Sequence, residues 1–527
     1  MNRPSKRRRT DGSERAATPD SLSRPISPPR KHQRREARIF KSPWQLTWIR
    51  DLPEELNQDA VSLKDLLGDP LIRECWEFNY LHDIAFLMDA FDPDTRHLVK
   101  VHVVHGFWKQ DDPRRLMLSV SATAPFSSSS ADVLQQDASG FDNIQLHVAP
   151  MPEVFGTHHS KMMVLFRHDD TAQVIIHTAN MIAKDWTNMT NAVWRSPLLP
   201  KLSGLSNAPR GLHSSALGSG DRFKSDLLSY LRPYDGRKPT CKPLVDELSR
   251  YDFSSIRAAL VASVPGRHGV GDPSEIAWGW AALKKCLGCI PCVDGDSEIV
   301  IQISSIATLG GKDDWLQKTL FDSLATCKTQ TAKRPKFKVV FPTADEIRQS
   351  LDGYASGASI HTKIQSRQQA KQLQYLRPML HHWAGDGEDG RGDETSDGGR
   401  RRAAPHIKTY MRYNDKKTVD WAMLTSANLS KQAWGESARP TGEMRIASWE
   451  IGVLVWPELY GEGSVMVGTF KSDSPRAEGL DTGESKAVVG VRVPYGVPLR
   501  RYGPSEVPWV ATLKHTERDG QGRTWEA

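Results

Sequence analysis

The chain has 527 residues, 38% of them hydrophobic and 8% aromatic, which is enough for two or more packed domains. Mean hydropathy is −0.50; no run of about 18 apolar residues offers a membrane span, and no apolar signal core near the N-terminus points to secretion. The formal charge of +7 is uneven: residues 1–41 hold 13 Lys/Arg against 4 Asp/Glu, a net of +9, and the other 57 basic and 59 acidic residues net −2. A nucleic-acid partner of the folded part must therefore be met by a local groove, not by bulk charge.

Residues 1–42 are rich in Arg, Ser and Pro and nearly free of large apolar side chains, so they are expected to form a disordered basic tail. Its clusters Lys6–Arg9 and Arg30–Arg35 fit a nuclear import signal, a DNA tether, or both. From Trp44 onward helix and strand patterns alternate. Trp76, Tyr80, Ile84, Leu87 and Phe91 recur at helical spacing and predict one helix. Apolar runs at 98–106, 144–150, 162–166 and 174–180 predict strands, residues 203–221 a Gly/Ser loop, and 223–231 a helix. A second set of strands is predicted at 299–305, 337–343, 421–428 and 451–456, interrupted by low-complexity inserts at 385–404 and 461–487. The reading is two α/β domains, at 43–256 and 257–527. Six cysteines are few for this length and suit a reducing compartment; Cys286, Cys289 and Cys292 cluster, but with Cys327 as the nearest fourth thiol in sequence they are read as structural.

The two halves repeat a short pattern. The first contains His159-Ser160-Lys161 and the second His406-Ile407-Lys408, each entering an extended segment. Side chains two apart on a strand share a face, so each half aims an imidazole and an ammonium the same way. His158 points oppositely and is read as structural. A second strand in each half ends in asparagine: Asn180 lies 19 residues after Lys161, and Asn428 lies 20 after Lys408. Two imidazoles, two ammonium groups and two amides at one interface suit attack on a phosphodiester. Lysines and asparagines would hold the non-bridging oxygens, whose charge rises in the transition state. One histidine would be the nucleophile and the other the general acid. No carboxylate cluster suggests Mg²⁺ or Zn²⁺ binding, so neither a metal nor another cofactor is expected.

These residues resemble the phospholipase D superfamily, whose hallmark is a duplicated His-Lys-Asp motif. The aspartate expected five residues after each lysine is Phe166 in one half and Tyr413 in the other. The asparagine-bearing version is similar to the tyrosyl-DNA phosphodiesterase branch, through the phrases FGTHHSKMM, HTANMIAKDW, PHIKTYMR, TSANLSKQAWG, FNYLHD and VPYGVPL, over roughly residues 43–515. The resemblance implies two phospholipase-D-like α/β/α domains related by a pseudo-two-fold axis. It implies a phosphodiester hydrolase of DNA repair, acting on the 3′-phosphotyrosyl link left by a stalled type IB topoisomerase and on other 3′-blocking adducts. His159 would be the nucleophile, becoming a phosphohistidine, and His406 the acid and then the base. Lys161, Lys408, Asn180 and Asn428 would bind the phosphate. Glu450 matches a carboxylate that orients the nucleophilic histidine. Asn191 falls where the family carries a longer glutamine beside the acid histidine. Phe155 matches a base-stacking aromatic, and Tyr80, Ser304, Ser305 and Ser430 match positions lining the DNA or peptide groove.

The expected partners are single- or double-stranded DNA with blocked 3′ ends and a topoisomerase-derived peptide, with no membrane. The expected state is a monomer in the nucleus. A phospholipase, a general nuclease of the superfamily and a non-catalytic DNA-end scaffold remain as alternatives. Headgroup release, internal cutting of plain DNA and absence of turnover, respectively, would distinguish them.

Overall fold

The computed structural model describes residues 37–106, 130–153, 155–203, 215–236, 239–271, 277–384, 397–475 and 487–526. The basic clusters of the tail and the centres of the three predicted loops, at 204–214, 385–396 and 476–486, lie outside the described residues. In chain order the strands are β1 Arg38–Phe40, β2 Trp44–Leu46, β3 Ile72–Phe78, β4 Lys100–His105, β5 Ile144–Val148, β6 Met162–Arg167, β7 Thr171–His177, β8 Ala192–Arg195 and β9 Leu199–Pro200. They continue as β10 Ala259–Ser263, β11 Gly266–Gly269, β12 Ser297–Gln302, β13 Lys336–Val340, β14 Leu380–His381, β15 Thr409–Asn414, β16 Val419–Thr425, β17 Glu443–Ile446, β18 Glu450–Val455, β19 Ser464–Thr469 and β20 Ala487–Arg492.

Two large mixed sheets dominate. The first runs β2-β8-β7-β6-β3-β4-β5, with β9 beside β7; the second runs β10-β18-β16-β15-β12-β13-β14. The orders correspond place by place, and so do the directions. In each sheet three neighbours are parallel, β3-β4-β5 and β12-β13-β14, and all other pairs on the path are antiparallel. The chain therefore folds the same α/β plan twice. Strands covered on both faces read as unbroken apolar runs. In β6, Met162, Val164 and Phe166 join the core that also contains the second sheet, and Met163 and Leu165 join a core of the first half alone. Residues 37–527 form one compact unit.

Three expectations are corrected. Trp76 does not lie on a helix. Residues 72–78 pair with β4 and β6 as a strand buried on both faces, whose apolar spacing mimics a helical period. The helix is shorter, Ile84–Asp89, and starts where the Asp83 carboxylate accepts from Phe86 N. Tyr80 stands in the turn between them. The end of the basic tail is not irregular, since β1 pairs in parallel with β20 from the far end of the chain. The segment 461–487 is not wholly a low-complexity insert either, since β19 pairs with β20 along its whole length.

The halves meet closely at Gly156. A methyl group there would fall 1.9 Å from the Ala447 carbonyl oxygen, a backbone atom that cannot swing away. Gly156→Ala is expected to force the loop carrying His159 off the second half, costing about 1–3 kcal/mol of stability and lowering kcat. Calorimetry and turnover check this, and wild-type values for both would contradict it.

Candidate active site

His159 and Lys161 lie just before β6, and His406 and Lys408 just before β15, strands that hold the same place in their sheets. Each extended segment is pinned by the other half. His159 N donates to Trp449 O at 3.0 Å, and Trp449 N donates to Thr157 O at 2.9 Å. In the other direction, His406 N donates to Thr190 O and Thr190 N to Ala404 O, both at 2.9 Å. Each histidine is thus bridged beside the residue that precedes the next functional side chain, Glu450 at the start of β18 or Asn191 just before β8.

Those two residues orient the rings. Glu450 Oε2 accepts from His159 Nδ1 at 2.9 Å, and the Ser426 hydroxyl donates to the same carboxylate oxygen at 2.5 Å. Asn191 Oδ1 accepts from His406 Nδ1 at 3.1 Å. Its amide nitrogen donates to Asp185 O at 2.8 Å, which fixes which end of the amide faces the ring. Asparagine therefore reaches His406 despite being one methylene shorter than the glutamine of the family. With Nδ1 protonated by these acceptors, Nε2 is the nitrogen left for chemistry on both rings. Burial lowers the His159 pKa below its ordinary value, with Glu450 opposing and Lys161 reinforcing the shift. Burial, Lys408 and Lys161 push His406 well below its ordinary value.

Lys161 and Lys408 are fully buried behind the rings. The Lys161 ammonium donates to His159 O at 3.2 Å, and the Lys408 ammonium donates to His406 O. Burial lowers Lys161 to about 8, against the pull of Glu450, Asp185 and Glu77. Burial, then the Lys161 charge, lower Lys408 well below its ordinary value. Asn428 is locked by its oxygen, which accepts from Ser304 N at 3.1 Å and Ser305 N at 2.9 Å, leaving its amide hydrogens for a ligand. Asn180 is held through Asp185, whose Oδ2 accepts from Asn180 N at 2.7 Å and from its amide at 2.9 Å.

Asp185 was not found from the sequence. It is fully buried, lies 3.3 Å from His406 Nδ1, and ties Asn180 to that ring. Burial raises its pKa, opposed by Lys184, by the Asn180 N–H and by both catalytic-side lysines. A carboxylate between Lys184 and Trp186, inside an apolar stretch, was the signal available. Its place after Asn428 is taken by Ala433, so the repeat did not flag it.

The rings open on a pocket of about 290 Å³ lined by His159, His406, Asn180, Asn428 and Glu450. Tyr80, Phe155, Ser304, Ser305 and Ser430 line it too, as do Ser359, His361 and Gln432, which the sequence reading missed. Tyr80 is half-buried with its ring centroid 5.9 Å from that of His159. Phe155 is 79% exposed, so it is not a core residue and presents its ring to the pocket mouth. The Ser430 hydroxyl caps the helix Lys431–Trp434. His158 is buried away from the pocket, bonded to Asn79 O at 2.9 Å and the Tyr234 hydroxyl at 3.0 Å. All six cysteines are free, with Cys286 and Cys292 buried and Cys289 exposed. Among the described residues no helix is long and apolar enough to cross a membrane.

A histidine and an asparagine from each copy of a repeated α/β plan line a single pocket, each histidine backed by a buried lysine; the class is that of the phosphodiesterases of the phospholipase D superfamily. Residues 43–503 match the family model described as tyrosyl-DNA phosphodiesterase, and the chain belongs to that family. A Schizosaccharomyces pombe protein named "Probable tyrosyl-DNA phosphodiesterase" is 31% identical, covering 94% of this chain and 98% of its own. An Arabidopsis thaliana relative named "Tyrosyl-DNA phosphodiesterase 1" is 28% identical, covering 92% and 76%. A crystal structure of the yeast tyrosyl-DNA phosphodiesterase shares the fold with a TM-score of 0.60 at 19% identity, over 89% of this chain and 98% of that one.

The shifts fix the direction of the pH dependence. A histidine with a lowered pKa stays neutral to below its usual ~6.5, so the acid limb of kcat/KM is expected below that pH. Lys161 loses its charge as pH rises through about 8, so the basic limb is expected at or below that value. The apparent constants belong to the coupled set. Asp185→Asn removes a charge that supports both lysines and should move the basic limb down by about one pH unit. Activity that climbs through pH 9, or a basic limb unmoved in the variant, would contradict the assignment.

Proposed function

We propose that this chain hydrolyses the phosphodiester joining a tyrosyl residue to a DNA 3′ end, through a phosphohistidine on His159. The observation that carries the reading is the unequal pairing of two like histidines on one pocket: a carboxylate accepts from His159 at 2.9 Å, whereas a neutral amide accepts from His406 at 3.1 Å with the Asp185 carboxylate farther off at 3.3 Å. Glu450 makes His159 the better nucleophile and stabilises the positive ring formed when Nε2 bonds to phosphorus. His406, held by an amide and crowded by lysines, gives up a proton readily and suits the acid.

In the first step Nε2 of His159 bonds to phosphorus and the bond to the tyrosyl oxygen breaks, that oxygen taking the proton from Nε2 of His406. In the second, His406 takes a proton from water, the hydroxide oxygen bonds to phosphorus, and the bond to His159 breaks. The DNA is left with a 3′-phosphate. Lys161, Lys408, Asn180 and Asn428 hold the non-bridging oxygens as their charge rises. Phe155 stacks on a base, and Ser304, Ser305 and Ser430 place the strand without reading its sequence. The relatives named above support DNA as the substrate. We further read the enzyme as a monomer that takes single- or double-stranded ends, and as nuclear, on the strength of the basic tail.

The two histidine variants test this. Tyrosine leaves as a phenolate with a parent pKa of roughly 10, so the first step proceeds without His406; the second needs water with a pKa of about 15.7 to be activated. Loss of base help is expected to slow that step by about 10²–10⁴-fold. On a denaturing gel, His406→Ala should accumulate an acid-labile adduct with 5′-labelled DNA, and His159→Ala should show none. The adduct in His159→Ala alone would reverse the roles. Because Lys161 and Lys408 supply the cationic charge, wild-type turnover should persist in EDTA.

A further inference from the structure

His361-Thr362-Lys363 is a third His-x-Lys in the chain. It lacks the features of the other two pairs: Lys363 is exposed, and among the described residues no carboxylate or amide orients the ring. Yet its position is fixed. His361 N donates to Ser304 O at 2.9 Å and its carbonyl accepts from Ile306 N at 2.8 Å, which sets it beside the pair of serines that lock Asn428. The side chain lines the pocket with Ser359.

A third group comes from the first half of the chain. Lys184, half-buried, comes from the helix Ala183–Thr187 of the first half and precedes Asp185, which reaches His406. Among the described residues neither ammonium nor the His361 ring has a hydrogen-bond or ion-pair partner. Asp185 and Asp352 act on Lys184 only at a distance. His361 is open to solvent but stands in a protein-walled cleft. That desolvation, then Lys184, Lys363 and Lys408, pull its pKa to about 4. Lys184 also depresses His406. Uncompensated positive charge therefore gathers on the His406 side, away from Phe155, Thr157 and Ser448 beside His159.

We propose that Lys184, His361 and Lys363 form a leaving-group subsite that takes a carboxylate carried by the group expelled from phosphorus. The assignment rests on reading His406 as the acid that protonates that group. Two lysines without partners among the described residues attract an anion, and the His361 imidazole, carried on a backbone held beside Ser304, donates a hydrogen bond to it. The carboxylate is either the α-carboxylate of the tyrosine or the side chain of an acidic neighbour.

Four 5′-labelled oligonucleotides separate the possibilities. Two carry 3′-phosphotyrosine as the amide or as the free acid; two carry it in a short capped peptide with glutamine or glutamate beside the tyrosine. At low salt the wild type is expected to favour one acid over its neutral counterpart by about tenfold in kcat/KM. A gain confined to the free acid assigns the α-carboxylate, and one confined to glutamate assigns the side chain. The ratio should shrink in the exposed-site variant Lys363→Met, approach one in Lys184→Met/Lys363→Met, and fall as salt rises. Equal kcat/KM within both pairs overturns the subsite, as does a ratio unchanged in Lys363→Met. No turnover of any of the four overturns the reaction itself, and with it the subsite.

Discussion

Each pocket histidine is held by the half of the chain that does not carry it. His159 is bridged to Trp449 and paired with Glu450; His406 is bridged to Thr190 and paired with Asn191. The exchange is reciprocal, down to the backbone bonds, because the same fold is used twice and packed face to face. Neither half alone would contain an oriented ring. The symmetry stops at the side chains. Glutamate on one side and asparagine on the other give two equivalent positions different partners, the difference on which the proposed division into nucleophile and acid rests.

The second constraint is electrostatic. Two buried ammonium groups near each other would be costly on their own. Glu450 and Asp185 act on both lysines, and Glu77 acts on Lys161. Even so, burial leaves both lysine pKa values depressed. In the proposed reaction the phosphodiester adds negative charge beside them. Its non-bridging oxygens gain further charge in the transition state, where fixed cations and amides in a water-poor site help most. Asp185 does double duty, since the carboxylate that supports Lys408 also anchors Asn180 and lies against His406.

The sequence disclosed whatever the duplication wrote twice. His159, Lys161 and Asn180 were legible because His406, Lys408 and Asn428 repeat them in order. Glu450 and Asn191 were legible only through family resemblance, because they differ from each other and lie far along the chain from the histidines they meet in space. Asp185 had no twin. The longer inner strands of both sheets showed as apolar runs, whereas the short or outer ones Trp44–Leu46, Ala192–Arg195, Ala259–Ser263 and Leu380–His381 did not, and Ile72–Phe78, buried on both faces, carried an apolar spacing that passed for a helix. Arg38–Phe40 and Ser464–Thr469 were hidden by local composition, since both depend on Ala487–Arg492 for pairing and nothing near them in the chain announces it. His361 and Lys363 were passed over because no asparagine phrase follows them.

The central claim is two displacements at one phosphorus atom, and stereochemistry reads it without altering a residue. Each in-line attack inverts the configuration. A 3′-tyrosyl oligonucleotide with a phosphorothioate of known configuration at the scissile position, hydrolysed in ¹⁸O-labelled water, yields a chiral 3′-thiophosphate. Transfer first to His159 and then to water predicts net retention. Net inversion would mean that water attacks directly, and no phosphohistidine lies on the path.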